Sequence, residues 1–79
     1  IRAQQFSEAI ALLDTVLPNL QQKRLYTQLA VGYIRKGICL NNISKDGTEL
    51  IEKGKNILLA VGMHKMWQAL EDEIIKYTI

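Results

Sequence analysis

The 79 residues carry ten Lys and Arg against eight Asp and Glu, a net charge of +2, with 48% hydrophobic and 23% charged side chains. That composition is globular, excludes a disordered charged tail, and is too weakly basic to mark a nucleic-acid surface by charge alone. One cysteine and one histidine exclude an internal disulfide framework and a multi-histidine metal site, so neither metal nor cofactor is expected.

A chain this short holds one domain at most, and it opens on Ile1 rather than Met. The expectation is a single helical segment over residues 1–79 that is a piece of a longer protein, which the resemblance given below implies to be its C-terminal part. No apolar stretch approaches the ~18 residues of a membrane span, so no membrane partner is expected. The lone Cys39 fits a reducing compartment.

The first helix is predicted from about Arg2 to Leu17, where Phe6, Ala9, Ile10, Leu13, Val16 and Leu17 recur at three- and four-residue spacing as one apolar stripe. Pro18 is expected to end it, because proline lacks the amide donor and biases its predecessor away from helical angles. Asn19 and Gln22 have the spacing of a capping box for the second helix, in which each side chain satisfies the other's orphan amide. Its stripe is Leu25, Leu29, Gly32, Tyr33 and Leu40, flanked by Tyr26, Ala30 and Ile34, and it frays near Asn41 and Asn42. Glycine at 32 and 37 costs about 1 kcal/mol per site relative to alanine, which points to close approach of a neighbouring helix.

Asn41–Gly47 reads as a loop, with Asp46 and Glu49 spaced as the N-cap of a third helix from about Gly47 to Val61. Leu50, Ile51, Gly54, Ile57, Leu58 and Val61 are its expected buried face, Glu49 and Lys53 an i,i+4 ion pair on the other, and Gly62 its left-handed stop. The fourth helix is predicted from His64 to Thr78, with Met63, Met66, Trp67, Leu70, Ile74 and Tyr77 as its stripe and Asp72 and Lys76 as an ion pair. Four helices with short turns imply an all-α fold of antiparallel pairs, a bundle or a helical-repeat array.

Nothing in the pattern marks catalysis. His64 has no ligand neighbours at metal spacing, and Cys39 lacks the orienting group and oxyanion site that a nucleophile needs. Glu71, Asp72 and Glu73 point in different directions as a solvated face, and the glycines do not continue into a phosphate loop. The doublets Lys23–Arg24 and Arg35–Lys36 read as helix-surface charge. Candidate ligand or interface positions are Tyr26 and Ile34, which flank the stripe of the second helix, and Met63, Met66 and Trp67, which suit a core stripe or a self-association surface.

Leu29, Ala30, Tyr33 and Gly37, followed by Gly54, Leu58 and Val61, reproduce the large and small positions of a tetratricopeptide helix pair, with a longer connection and no closing proline. In that frame the first helix is the second member of a preceding pair and the fourth is a cap. The segments Phe6–Ile10, Leu29–Tyr33, Gly47–Gly54, Asn56–Gly62 and Ala69–Tyr77 together resemble the C-terminal end of Rgg/GadR/MutR-type transcriptional regulators. The resemblance implies a non-catalytic, cytoplasmic regulatory and dimerisation region, a homodimer, a short signalling peptide as ligand, and DNA contact only through a domain outside this chain. A general tetratricopeptide-like scaffold and an accessory helical domain of an enzyme are the alternatives.

Overall fold

The computed structural model describes the backbone of residues 3–43 and 45–78 and the side chains of residues 5–43 and 45–76. It is all-α: α1 spans Ala3–Gln22, α2 Tyr26–Asn42, α3 Thr48–Ala60 and α4 His64–Thr78. No strand occurs among the described residues. The expected start at Arg2, the side chain of Tyr77 and loop residue Ser44 lie outside the described residues.

Pro18 does not end α1, which continues for another turn to Gln22. An interior proline costs a helix about 3 kcal/mol. Two gains offset it. The added turn brings Leu20 against the cluster of Leu17, Leu29 and Tyr33, and its partial burial contributes a share of the about 1.5–3 kcal/mol that a fully buried leucine supplies. The turn also closes in a Schellman motif: Leu25 N–H donates to Leu20 O at 3.0 Å and Arg24 N–H to Gln21 O at 3.1 Å. Arg24 takes the left-handed position at φ 57°, a place usually given to glycine. The expected capping box at Asn19 is therefore absent. Asn19 sits inside α1, where its carbonyl accepts from Lys23 N–H.

The next two turns follow the same logic. Asp46 Oδ1 accepts the Thr48 N–H at 3.0 Å, and this bond holds its carboxyl below the ordinary range. The N-cap slot itself belongs to Gly47, one residue later than expected, and Gly47 N–H is held by Asn41 Oδ1 at 2.8 Å. At the other end of α3, Gly62 stands at φ 79° as expected, with Met63 N–H donating to Leu58 O at 2.8 Å and Gly62 N–H to Leu59 O at 3.2 Å.

Helix α2 is the hub and touches the other three, whereas among the described residues α1 makes backbone contact only with α2. Leu17 lies over Gly32, and Asp14 pairs with Lys36, so α1 and α2 run antiparallel. Gly37 faces Gly47 and Ile51 while Gly54 faces Ala30 and Ile34, so α2 and α3 are also antiparallel and nearly touch backbone to backbone. Arg35 meets Glu73 near one end of α4 and Met66 borders Thr27, Gln28 and Val31 near the other, so α4 runs parallel to α2. An antiparallel pair followed by a helix parallel to its first member is the arrangement of a helical-repeat segment.

The core has two parts. Ala30, Ile34, Ile38, Leu58 and Leu70 form one, bordered by Trp67 and Ile74; Leu17, Leu29 and Tyr33 form the other. Three expectations change here, two about buried faces and one about an ion pair. Ala30 and Ile34 are core, not flank, because α2 is covered on three sides. Val61 is 46% exposed because α3 has already ended. Lys53 does not reach back to Glu49; its ammonium lies 4.7 Å over the Tyr33 ring, a cation–π contact across the helix pair.

Candidate functional site

The side of α2 left uncovered becomes the floor of a groove walled by α1 and α4. One lobe, of about 280 Å³, is lined by Phe6, Ala9, Leu12 and Leu13 from α1, by Arg35, Ile38 and Cys39 from α2, and by Glu73 from α4. A second lobe, of about 430 Å³, is lined by Leu13 and Leu20, by Thr27, Gln28, Val31, Gly32 and Arg35, and by Met66. Leu13 and Arg35 border both lobes, so the two form one trough along α2. Helical geometry explains the opening. At 3.6 residues per turn, Gln28, Val31, Gly32, Arg35 and Cys39, which recur at three- and four-residue spacing, share one side of α2. No backbone contact joins α1 to α4 among the described residues, and the sector between them stays open.

The walls are mostly apolar. Leu12 is 66% exposed and Val16 also reaches solvent, which corrects the reading of Val16 as buried stripe. The charged groups of the lining are Arg35 and Glu73, whose Nε and Oε1 lie 3.7 Å apart across the trough from α2 to α4. Their partly exposed side chains make this a loose surface pair, worth a fraction of a kcal/mol, about 0.2–1. Cys39 sits on the floor beside them. Partial burial, and secondarily the Glu73 charge, push its thiol pKa up and keep it protonated. His64 opens α4 while Cys39 lies level with Glu73 nine residues further on, so thiol and imidazole are separated by about 13 Å along the helix axis at 1.5 Å per residue. The two do not form a dyad. Among the described residues no three His, Cys, Asp or Glu side chains converge as a metal set requires.

The five sequence-derived candidates are scattered. Ile34 is fully buried against Gly54, so it is a packing residue and not a contact for a ligand. Its assignment to the flank fails because α3 packs closely on that side of α2, with Leu58 and Leu70 completing the cluster around it. Trp67 is half-buried against the main core, with the Lys55 ammonium 5.4 Å over its ring, and Tyr26 is exposed at the start of α2 outside the trough lining. Met63 is exposed at the α3–α4 turn near Val61. Met66 alone of the five borders the trough. The residues missed were Arg35, Cys39 and the α1 wall. The signal was present in Ala9 and Leu12, apolar residues three apart that adjoin the buried row.

No family model, curated protein or solved structure matches the chain significantly. No helix among the described residues is long and apolar enough to cross a membrane.

Proposed function

We propose that the chain is a non-catalytic regulatory segment built from helical repeats, which recognises a short apolar peptide in the trough along α2. One observation carries this reading: two adjoining lobes of open, predominantly apolar surface run from Thr27 to Cys39 along a helix that three other helices pack against. Isolated surface leucines need no explanation, but a continuous row with its own walls fits a partner's side chains. The residue pattern similar to the C-terminal end of Rgg-type regulators supports placing that recognition in a cytoplasmic, peptide-responsive regulator of transcription. On that reading DNA is bound by a separate domain. Met63 and Val61, exposed together at the α3–α4 turn, are the surface offered for a homodimer. Peptide binding would act by favouring one arrangement of the repeats over another.

Leu12→Glu tests the proposal, because Leu12 lies on the trough wall and outside both core clusters. A fluorescent panel of short apolar peptides, read by anisotropy, should include sequences that saturate the native chain and bind the variant at least about tenfold more weakly, a loss of about 1.4 kcal/mol. Thermal stability should stay within about 0.5 kcal/mol of the parent, as for most surface changes. Saturable binding that is equal in both proteins would place recognition elsewhere.

A further inference from the structure

We infer that the end of the bundle formed by the α1–α2 and α3–α4 turns docks on an anionic lipid surface, with its cations against the headgroup phosphates and its apolar tips in the headgroup–acyl boundary. The helix directions bring the two turns together. Gly54 of α3 faces Ala30 of α2, so the end of α3 lies level with the start of α2. Met66 of α4 borders Thr27 and Gln28, so the start of α4 lies there too. Lys23, Arg24, Leu25 and Tyr26 therefore share one end face with Val61, Met63 and Lys65. Every residue of 21–26 and of 60–66 is exposed. Leu25, Tyr26, Val61 and Met63 are large apolar side chains left in solvent, and none of the four lines the trough or joins either core cluster.

The charge at this end has a single sign. No Asp or Glu occurs between Thr15 and Ile34 or between Lys53 and Leu70, so the eight acids of the chain all fall outside the segments that build the face. Lys23, Arg24 and Lys65 make no ion pair among the described residues. The pairs Arg35–Glu73 and Lys36–Asp14 stand about 13 Å further along α2 than Tyr26, at 1.5 Å per residue, beyond the screening length of about 8 Å at physiological salt.

Charge and shape together choose the occupant. A cationic face takes an anionic partner. Exposed turns are projections, and they offer no walls to fit a polypeptide's side chains; a bilayer needs none, because its boundary region closes around apolar tips. Tyr26 is of the residue type that settles at headgroup level. A nucleic acid would use the cations and leave Leu25, Val61 and Met63 wet. A second copy placed by a two-fold axis would set the same cations against each other. The homodimer surface proposed above and the lipid surface are thus alternative occupants of Val61 and Met63, and charge favours the lipid. The expectation of no membrane partner rested on the lack of a spanning helix, which docking at the surface does not require.

Cosedimentation with phosphatidylcholine vesicles, with and without phosphatidylglycerol, tests this, with circular dichroism confirming the fold of each variant. The native chain should bind the anionic vesicles and not the neutral ones, and added salt should release it. The double variant Lys23→Glu, Lys65→Glu should bind at least about twentyfold more weakly, at about fivefold for each cation removed. Lys45→Glu makes the same charge change in the loop at the other end and should alter binding less than about twofold. Met63→Ser and Tyr26→Ser should each weaken binding about threefold or more. Absence of binding to anionic vesicles, equal binding to neutral ones, or an equal loss with Lys45→Glu overturns the inference. So does indifference to both Met63→Ser and Tyr26→Ser, which would reduce the contact to charge alone. Polyglutamate bound as tightly as the vesicles assigns the face to an acidic polypeptide, and a dimer that Met63→Ser dissociates, without vesicle binding, assigns it to a second copy; either overturns the inference. The peptide assay with Leu12→Glu reads the trough and not this face, so the two readings fail separately.

Discussion

Gly54 and Gly32 are both helical glycines facing another helix, and alanine at each tests whether the packing between helices is as close as described. A Cβ on Gly54 would stand 2.6 Å from the Ala30 carbonyl oxygen and 2.5 Å from Ile34 Cγ1. The carbonyl is backbone and is fixed by the α2 ladder, and Ile34 is fully buried, so α2 and α3 must move apart. Overpacking of this kind costs about 1–3 kcal/mol, with the rigid contact at the upper end, and the helix propensity of alanine returns about 1 kcal/mol. The net expectation is a loss of about 2 kcal/mol, or about 8–16 °C in Tm for a domain of this size. At Gly32 the clash is with Leu17 Cδ2 at 2.6 Å, the far end of a flexible side chain, and the same propensity gain nearly cancels it. Gly32→Ala should therefore lie within about 1 kcal/mol of the parent. Urea and thermal unfolding followed by circular dichroism measure both. Equal stabilities for the two variants, or a Gly54→Ala chain as stable as the parent, would refute the close α2–α3 approach.

Leu58→Ala removes a fully buried side chain from the main core and should cost about 2–5 kcal/mol by denaturant unfolding, while Leu12→Ala on the trough wall should cost under about 1 kcal/mol. Arg24→Gly relieves a non-glycine residue held at φ 57° and should stabilise the chain by about 1 kcal/mol; a loss of stability would mean that the α1–α2 turn is not left-handed. Burial, and after it the Glu73 carboxylate, disfavour the Cys39 thiolate, so its pKa is raised and its alkylation should begin at higher pH in the folded chain than in urea. Glu73→Gln should move that onset part of the way back and no further, because burial is the larger cause; alkylation of the folded chain at or below the pH of the unfolded one would contradict this.

The order and type of the helices were legible because their apolar residues follow one period. The stop at Gly62 was legible because a glycine there satisfies a left-handed turn. The end of α1 was not. Pro18 gave a strong local signal, and what outweighs it, Leu20 against Leu29 and Tyr33, is a contact between residues far apart in sequence. The trough was missed for a related reason. Arg35 reads as surface charge on its own helix, and its position between two lobes depends on α1 and α4 standing on either side. Ile34 was misplaced by treating α2 as covered on one face when it is covered on three.

Amide chemical shifts of the isotope-labelled chain, titrated with a short apolar peptide that saturates it in the anisotropy assay, test the central claim of an open, peptide-accepting trough most directly. The account expects saturable shifts at Leu12, Val31, Arg35, Cys39 and Met66, with Glu52 and Asn56 on the exposed side of α3 unmoved. Shifts concentrated on Glu52 and Asn56 would contradict it, as would a spectrum unchanged by the peptide.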